Sequence, residues 1–385
     1  MVESSIVYSY RGHGDRSYLG IIAKRKYAIR PGSSAVPVAE PALINIEPTH
    51  EDSTSSETER LLFDTDLLTG LKPATDVILR GSAHATRGSV PALRTSLRVG
   101  PVFKTVQVFG DRRIELVRDG KVGFSKPQPF TTQALTWDHA FGGREVYVED
   151  QLRRSRGLGK FDRVRGLDGE IDAALSYMRN SAGRGFFLDV DRERLDGALA
   201  PNLEDPADPV SPDRILLADY NQWIDCPVAA CYEPIDLFTF PRSFFMMPAP
   251  FGAPTRPIHE ITIGALLPAD LARMDTFDWS VDPRSYNCAA PGLGQHRLEG
   301  GERVVLSNLH SKHELFEFDL PGDRPRLIIE PPNVSPREVA PHLQTVLFEP
   351  DEDRVTLTWA GALEVAMVFP PEMCLEMRHA VTWPR

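Results

Sequence analysis

Val102-Phe103-Lys104-Thr105-Val106-Gln107-Val108-Phe109-Gly110-Asp111-Arg112-Arg113-Ile114-Glu115-Leu116 is the stretch that decides the fold class. Val106 and Val108 alternate with Thr105 and Gln107, the period-two pattern of a half-buried strand. Gly110-Asp111 reads as a turn, and Ile114 and Leu116 resume the alternation, so the segment predicts an antiparallel hairpin. The same pattern returns in the last third of the chain. Over residues 315–320, Phe316, Phe318 and Leu320 share one face while Glu317 and Asp319 share the other. Residues 345–348, a turn at 350–353 and residues 355–359 predict a second hairpin, with Val355, Leu357 and Trp359 opposite Thr356 and Thr358. Residues 21–29, 77–80, 303–308 and 327–330 are further short strands bounded by Gly, Pro or charged punctuation. Helix is expected only in short pieces, at 170–178 and 269–274.

Composition agrees with this pattern. The chain holds 33 prolines in 385 residues, above the usual ~5%. Long bundles, coiled coils and helical solenoids are excluded, because an interior proline removes a donor and breaks the helix. The expected class is β-dominated, all-β to α+β, with antiparallel sheets in a sandwich- or barrel-like arrangement, long Pro-rich loops and few short helices. Lys+Arg 43 against Asp+Glu 54 leaves a net charge of −11, which argues against a nucleic-acid partner. No apolar run approaches the ~18 residues of a membrane span, and the first residues lack the pattern of a secretory signal. Cys226, Cys231, Cys288 and Cys374 are too few and scattered for a disulfide framework, so a cytoplasmic location is expected. The chain reads as one unit over 1–385. A finer division is a β-rich half at 1–150, a connector at 151–213 that is first basic and then Pro/Asp-rich, and a β-rich half at 214–385. The acidic, Ser/Thr-rich residues 47–60 read as a surface loop, and 201–213 as a loop or linker.

Each residue pattern that suggests chemistry also fits an ordinary structural role. His310 and His313 have the spacing of half a metal site, but no Cys-x-x-Cys completes it, and a surface loop is the expectation. Cys226 and Cys231 lie in an apolar run and are expected in the core. Asp138-His139 suggests acid–base work, yet such pairs are recognised by spatial role and not by adjacency, and no Gly-x-Ser-x-Gly elbow is present. Gly12 and Gly14, or Gly157 and Gly159, lack the strand-to-helix context of a nucleotide site. The basic residues Arg153, Arg154, Arg156, Lys160, Arg163 and Arg165 read as a solvated loop. The run from Phe238 to Pro248 holds more Phe, Met and Pro than one strand face buries. It either crosses the core or exposes a patch for a partner, with Phe244, Phe245, Met246 and Met247 the candidate surface. No cofactor, metal ligand set or catalytic residue is expected.

Leu135-Thr136-Trp137-Asp138-His139-Ala140-Phe141-Gly142-Gly143 resembles the signature of a bacterial family catalogued as a domain of unknown function and encoded beside type VI secretion effectors. Further blocks are similar to the family's in the same order. They are Leu71-Lys72-Pro73-Ala74-Thr75-Asp76-Val77, Gly110-Asp111-Arg112, Arg179-Asn180 with Gly183-Arg184-Gly185-Phe186, Pro201-Asn202, Gly300-Gly301-Glu302 and Asp319-Leu320-Pro321. The resemblance implies a non-enzymatic adaptor or chaperone that binds an effector, often with a PAAR-type tip domain, and helps mount it on the VgrG spike. It brings no catalytic residues. Trp137 and Phe141 are natural anchors, Asp138 and His139 can hydrogen-bond, and Gly142-Gly143 permits a close turn, so the motif reads as a structural corner or a partner contact. The rivals are a hydrolase using Asp138 and His139, and a structural component of the secretion apparatus.

Overall fold

The computed structural model of the protein describes residues 4–12, 16–55, 58–117, 121–155, 175–189, 192–218, 220–240, 242–243 and 283–384. Phe244, Phe245, Met246, Met247 and the helix expected at 269–274 lie outside the described residues. Of the helix expected at 170–178, only residues 175–178 are described, and they are turn and bridge, not helix.

Two sheets carry the architecture. The first has the strand order Ser5–Arg11, Ser17–Ala28, Arg354–Val365, His342–Glu349, Asp76–Leu79. Its neighbours are antiparallel except the last pair, which is parallel. The second is antiparallel throughout, in the order Leu203–Glu204, Val102–Phe109, Ala92–Val99, Arg303–Ser307, Leu315–Asp319. Among the described residues the α-helices are Val146–Ser155 and Pro371–Leu375. The protein is β-dominated, with several antiparallel sheets and, among the described strands, no closed barrel.

Strand alternation sets what each face meets. Tyr27, Val355, Leu357 and Trp359 of the first sheet share one apolar cluster with Leu97, Val106, Val304 and Phe316 of the second. Phe318 and Phe348 join the sheets edge to face with ring centroids 6.2 Å apart, a geometry that adds about 1 kcal/mol to the burial itself. The two long strands run on past this contact. Their same face then carries Leu19, Ile21 and Ala23, which pack with Leu327, Ile329 and Val339 of the small sheet Arg337–Val339, Arg326–Ile329, His379–Thr382. The opposite face presents Lys24, Lys26, Thr345, Thr356 and Thr358 to a cavity of about 190 Å³, with Leu43, Phe63 and Pro234 also in its wall.

Three further segments differ from expectation. Gly110-Asp111 does not close a hairpin: Val102–Phe109 pairs with the preceding strand Ala92–Val99, and Ile114–Leu116 pairs with Val122–Phe124. A Cβ at Gly110 would overlap the Gln128 carbonyl oxygen, so this glycine permits a close backbone crossing. Residues 47–60 contain paired strand, Thr49–Asp52 against Glu59–Phe63, because charged and Ser/Thr side chains there bond to the body of the protein. Within 201–213, Leu203 and Glu204 are buried and extend the second sheet, where Arg112 satisfies the carboxylate of Glu204.

The parallel edge strand is held by a buried ion pair. Lys72 Nζ donates to Asp76 Oδ2 at 2.6 Å and to Thr345 Oγ1 at 3.1 Å. Asp76 also accepts from Asn287 Nδ2 at 2.8 Å, Cys288 N at 3.0 Å and Ala289 N at 3.1 Å. Burial alone would raise the Asp76 carboxyl, but Lys72 and these amides outweigh it and hold it below its usual value. Removing one partner strands the other charge, so Lys72→Met is expected to cost about 3–5 kcal/mol. In urea unfolding, Lys72→Met with Asp76→Asn should cost less than the two single changes summed.

Candidate functional site

The Leu135–Gly143 motif sits where six separate chain segments meet. Trp137–His139 forms one 3₁₀ turn, and Phe141–Gly142 then pairs in parallel with Arg184–Gly185. Trp137 N donates to Glu233 Oε2 at 3.1 Å, and its indole Nε1 donates to the Pro234 carbonyl at 2.8 Å. Asn180 Nδ2 ties both ends of the turn, donating to the carbonyls of Trp137 at 2.9 Å and Phe141 at 3.1 Å. Phe141 meets the Tyr177 ring edge-on at 5.0 Å. A polar turn is thereby anchored on an aromatic base.

Asp138 is the electrostatic centre. Its Oδ2 accepts from Thr54 N at 3.1 Å and Thr54 Oγ1 at 2.9 Å, and Arg60 Nε stands 3.3 Å from Oδ1. The Asp138 carbonyl accepts from Ser55 Oγ and from Arg184 Nε, both at 2.9 Å. Arg60 also donates to Glu233 at 2.5 Å and pairs with Glu51. Burial pushes the Glu233 carboxyl up to about 7 against the pull of Arg60. His139 bonds elsewhere: Nδ1 lies 2.8 Å from Thr136 Oγ1, and its carbonyl accepts from Asn202 N at 2.8 Å. Burial, reinforced by Arg184, lowers His139 to about 4, so it is neutral at pH 7. Asp138 and His139 are thus adjacent in the chain but engage different partners.

Three of the other family-like blocks, Gly110–Arg112, Arg179–Phe186 and Pro201-Asn202, arrive at the same place. Asn202 Nδ2 donates to the Phe109 carbonyl and to Asp111 Oδ1, both at 3.1 Å, and Arg112 Nη2 donates to the Pro201 carbonyl at 2.8 Å. Gly143 N donates to the Asn180 carbonyl, and Phe186 N to the Gly142 carbonyl. Gly142 has φ +153°, and a Cβ there would overlap the Asn180 carbonyl oxygen.

Other candidates resolve separately. His310 is not on an exposed loop: it is 2% exposed, its Nε2 pairs with Asp353 Oδ1 at 2.7 Å, and its ring stacks on Phe316 at 4.4 Å. His313 lies beside it, 5.0 Å ring to ring. Among the described residues no three His, Cys, Asp or Glu side chains are grouped to hold a metal. Cys226 and Cys231 are buried in the main core, and burial pushes the Cys226 thiol up to about 12. Gly14, Gly157 and Gly159 lie outside the described residues, as does the basic stretch beyond Ser155.

Arg60, Thr54, Ser55 and Glu233 complete the junction without having been picked out from sequence. Glu233 carries a usable signal, since a carboxylate inside the apolar run from Cys226 to Ile235 must find a cationic or hydrogen-bonding partner. Thr54 and Ser55 carry none beyond a Ser/Thr-rich composition.

A family model described as an uncharacterized protein conserved in bacteria, DUF2169, matches residues 14–360. The chain belongs to the DUF2169 family. The match takes in the whole junction and the Lys72–Asp76 pair, and it ends before the helix Pro371–Leu375. No curated protein and no solved structure matches the chain.

Two outcomes follow for this DUF2169 protein. Gly142→Ala should lower stability by more than about 2 kcal/mol in urea unfolding, because steric overlap adds to the backbone penalty. Gly32→Ala is the control: its φ is +72° with nothing near a built Cβ, so about 1 kcal/mol is expected. The second concerns pH. His139 is held below its ordinary value, so the unfolded chain binds more protons and stability is lost as pH falls from about 6.5 to about 4. Glu233 is held above its ordinary value and acts with the opposite sign between about 7 and 4.5. The wild type should therefore lose stability relative to His139→Gln on going from pH 7 to pH 5, read as the difference between their urea midpoints.

Proposed function

We propose that this protein is a non-enzymatic adaptor or chaperone that binds a type VI secretion effector in the cytoplasm, including effectors with a PAAR-type tip domain, and assists loading onto the VgrG spike. One observation carries the reading. Asp138 and His139, the pair best suited by sequence to acid–base chemistry, are spent on tying their own turn to the segments of Thr54, Ser55 and Arg60, of Arg184 and of Asn202, and do not form a dyad. Asp138 is buried among Thr54, Ser55, Arg60 and Arg184, and His139 is kept neutral. A rigid β scaffold of this kind suits partner binding by surface side chains, where a few buried anchors dominate the affinity. The resemblance of the sequence blocks to an effector-associated family supports the same reading.

The test is affinity capture of the tagged full chain from its native cytoplasm, with mass spectrometry of the co-purifying proteins. One effector or PAAR-type protein is expected, and deleting the gene for the chain should stop export of that effector while VgrG is still released. Capture of further copies of the chain alone would favour a structural component and overturn the adaptor. Hydrolytic turnover abolished by Asp138→Asn in a still-folded variant would overturn it in favour of an enzyme.

A further inference from the structure

Residues 366–376 carry exposed apolar side chains that the junction does not use. Met367 is 59% exposed, Met373 43% and Leu375 72%, with Val368 beside them. Their base is fixed. Phe369 N donates to Ser9 Oγ at 3.0 Å, Cys374 N to the Pro370 carbonyl at 3.2 Å, and Cys374 and Met377 are buried against Val7 and Leu19. At about 100° per residue, the helix Pro371–Leu375 that buries Cys374 turns Met373 and Leu375 to its two flanks and Glu372 outward. Glu376, just beyond the helix, continues the outer side and is exposed. Neither carboxylate has an ion-pair partner among the described residues. Residues 361–382 contain three glutamates, one arginine and no lysine.

An acidic crest between apolar shoulders has a definite complement. We propose that this face docks a basic amphipathic segment of a protein partner, its apolar side chains seated on Met367, Met373 and Leu375 and its Lys or Arg residues on Glu372 and Glu376. Methionine is flexible and polarizable, which suits a surface that must fit an independently evolving sequence. An anionic membrane is a poor occupant, because unpaired carboxylates beside the apolar groups would repel it. The face lies beyond residues 14–360 that match the family model, in keeping with a contact particular to this chain's own partner. Identifying that partner as the secreted effector rests on the adaptor reading.

The test uses the full chain with a fluorescent Leu/Lys amphipathic peptide and its Leu/Glu counterpart. Wild type should bind the Leu/Lys peptide, more weakly as salt rises, and not the Leu/Glu peptide. Met373→Ser with Leu375→Ser, and separately Glu372→Lys with Glu376→Lys, should each weaken binding at least ~tenfold. Both variants should keep the wild-type melting temperature, since all four side chains are exposed. Equal binding by wild type and both variants would overturn the proposal. Self-association of wild type that Leu375→Ser abolishes would also overturn it, because a second copy would then be the occupant. Effector capture distinguishes the two readings. An effector held equally well by the Met373/Leu375 variant removes this face and leaves the adaptor, whereas peptide binding at the face with no effector captured by wild type removes the adaptor and leaves the face.

Discussion

A carboxylate that leaves water must be repaid in hydrogen bonds and opposite charge, and the burial of Asp138 is where this protein meets that demand. Its side chain and carbonyl draw in Thr54, Ser55, Arg60 and Arg184 from distant parts of the chain. Arg60 in turn binds Glu233, which receives the Trp137 amide. A loop-rich chain has many backbone groups outside sheet ladders, and each must still find a partner when buried. Concentrating those partners in one connected network converts several loops into one rigid body.

The Lys72–Asp76 pair plays the matching part at the edge of the first sheet. Asp76 gathers donors from Asn287, Cys288 and Ala289 and so fastens the segment after Tyr286 to the parallel strand. Apart from the local Lys72–Asp76 pair itself, both networks join residues far apart in the chain. The apolar core shared by the two sheets supplies the driving force, and the polar networks select which loop arrangement accompanies it. Such a body presents fixed surfaces, and the Met367–Leu375 face stands on one of them.

How much of this was legible in the sequence can be judged strand by strand. Alternation placed Leu315–Asp319 and His342–Glu349 within about three residues and the start of Arg354–Val365, whose last six residues it left out, because a side chain's face is dictated by period two alone, and bounding punctuation placed Arg303–Ser307. Pairing was less legible. Gly110-Asp111 looks like a hairpin turn locally, yet the room it leaves is taken by the backbone of Gln128. His310 reads as polar loop, and only the position of Asp353 and Phe316 shows why it is buried.

The motif blocks divide in the same way. Composition and periodicity by themselves determined a β-dominated chain with few helices, Cys226 and Cys231 in the core and an acidic net charge, since each follows from local preference or from residue counts. That Leu135–Gly143, Arg179–Phe186, Pro201-Asn202 and Gly110–Arg112 are parts of one junction was decided only by the tertiary structure. Hydrogen bonds between residues as far apart as Thr54 and Asp138 leave no local pattern to read, because the partner of a buried charge is set by the fold and not by its neighbours in the chain.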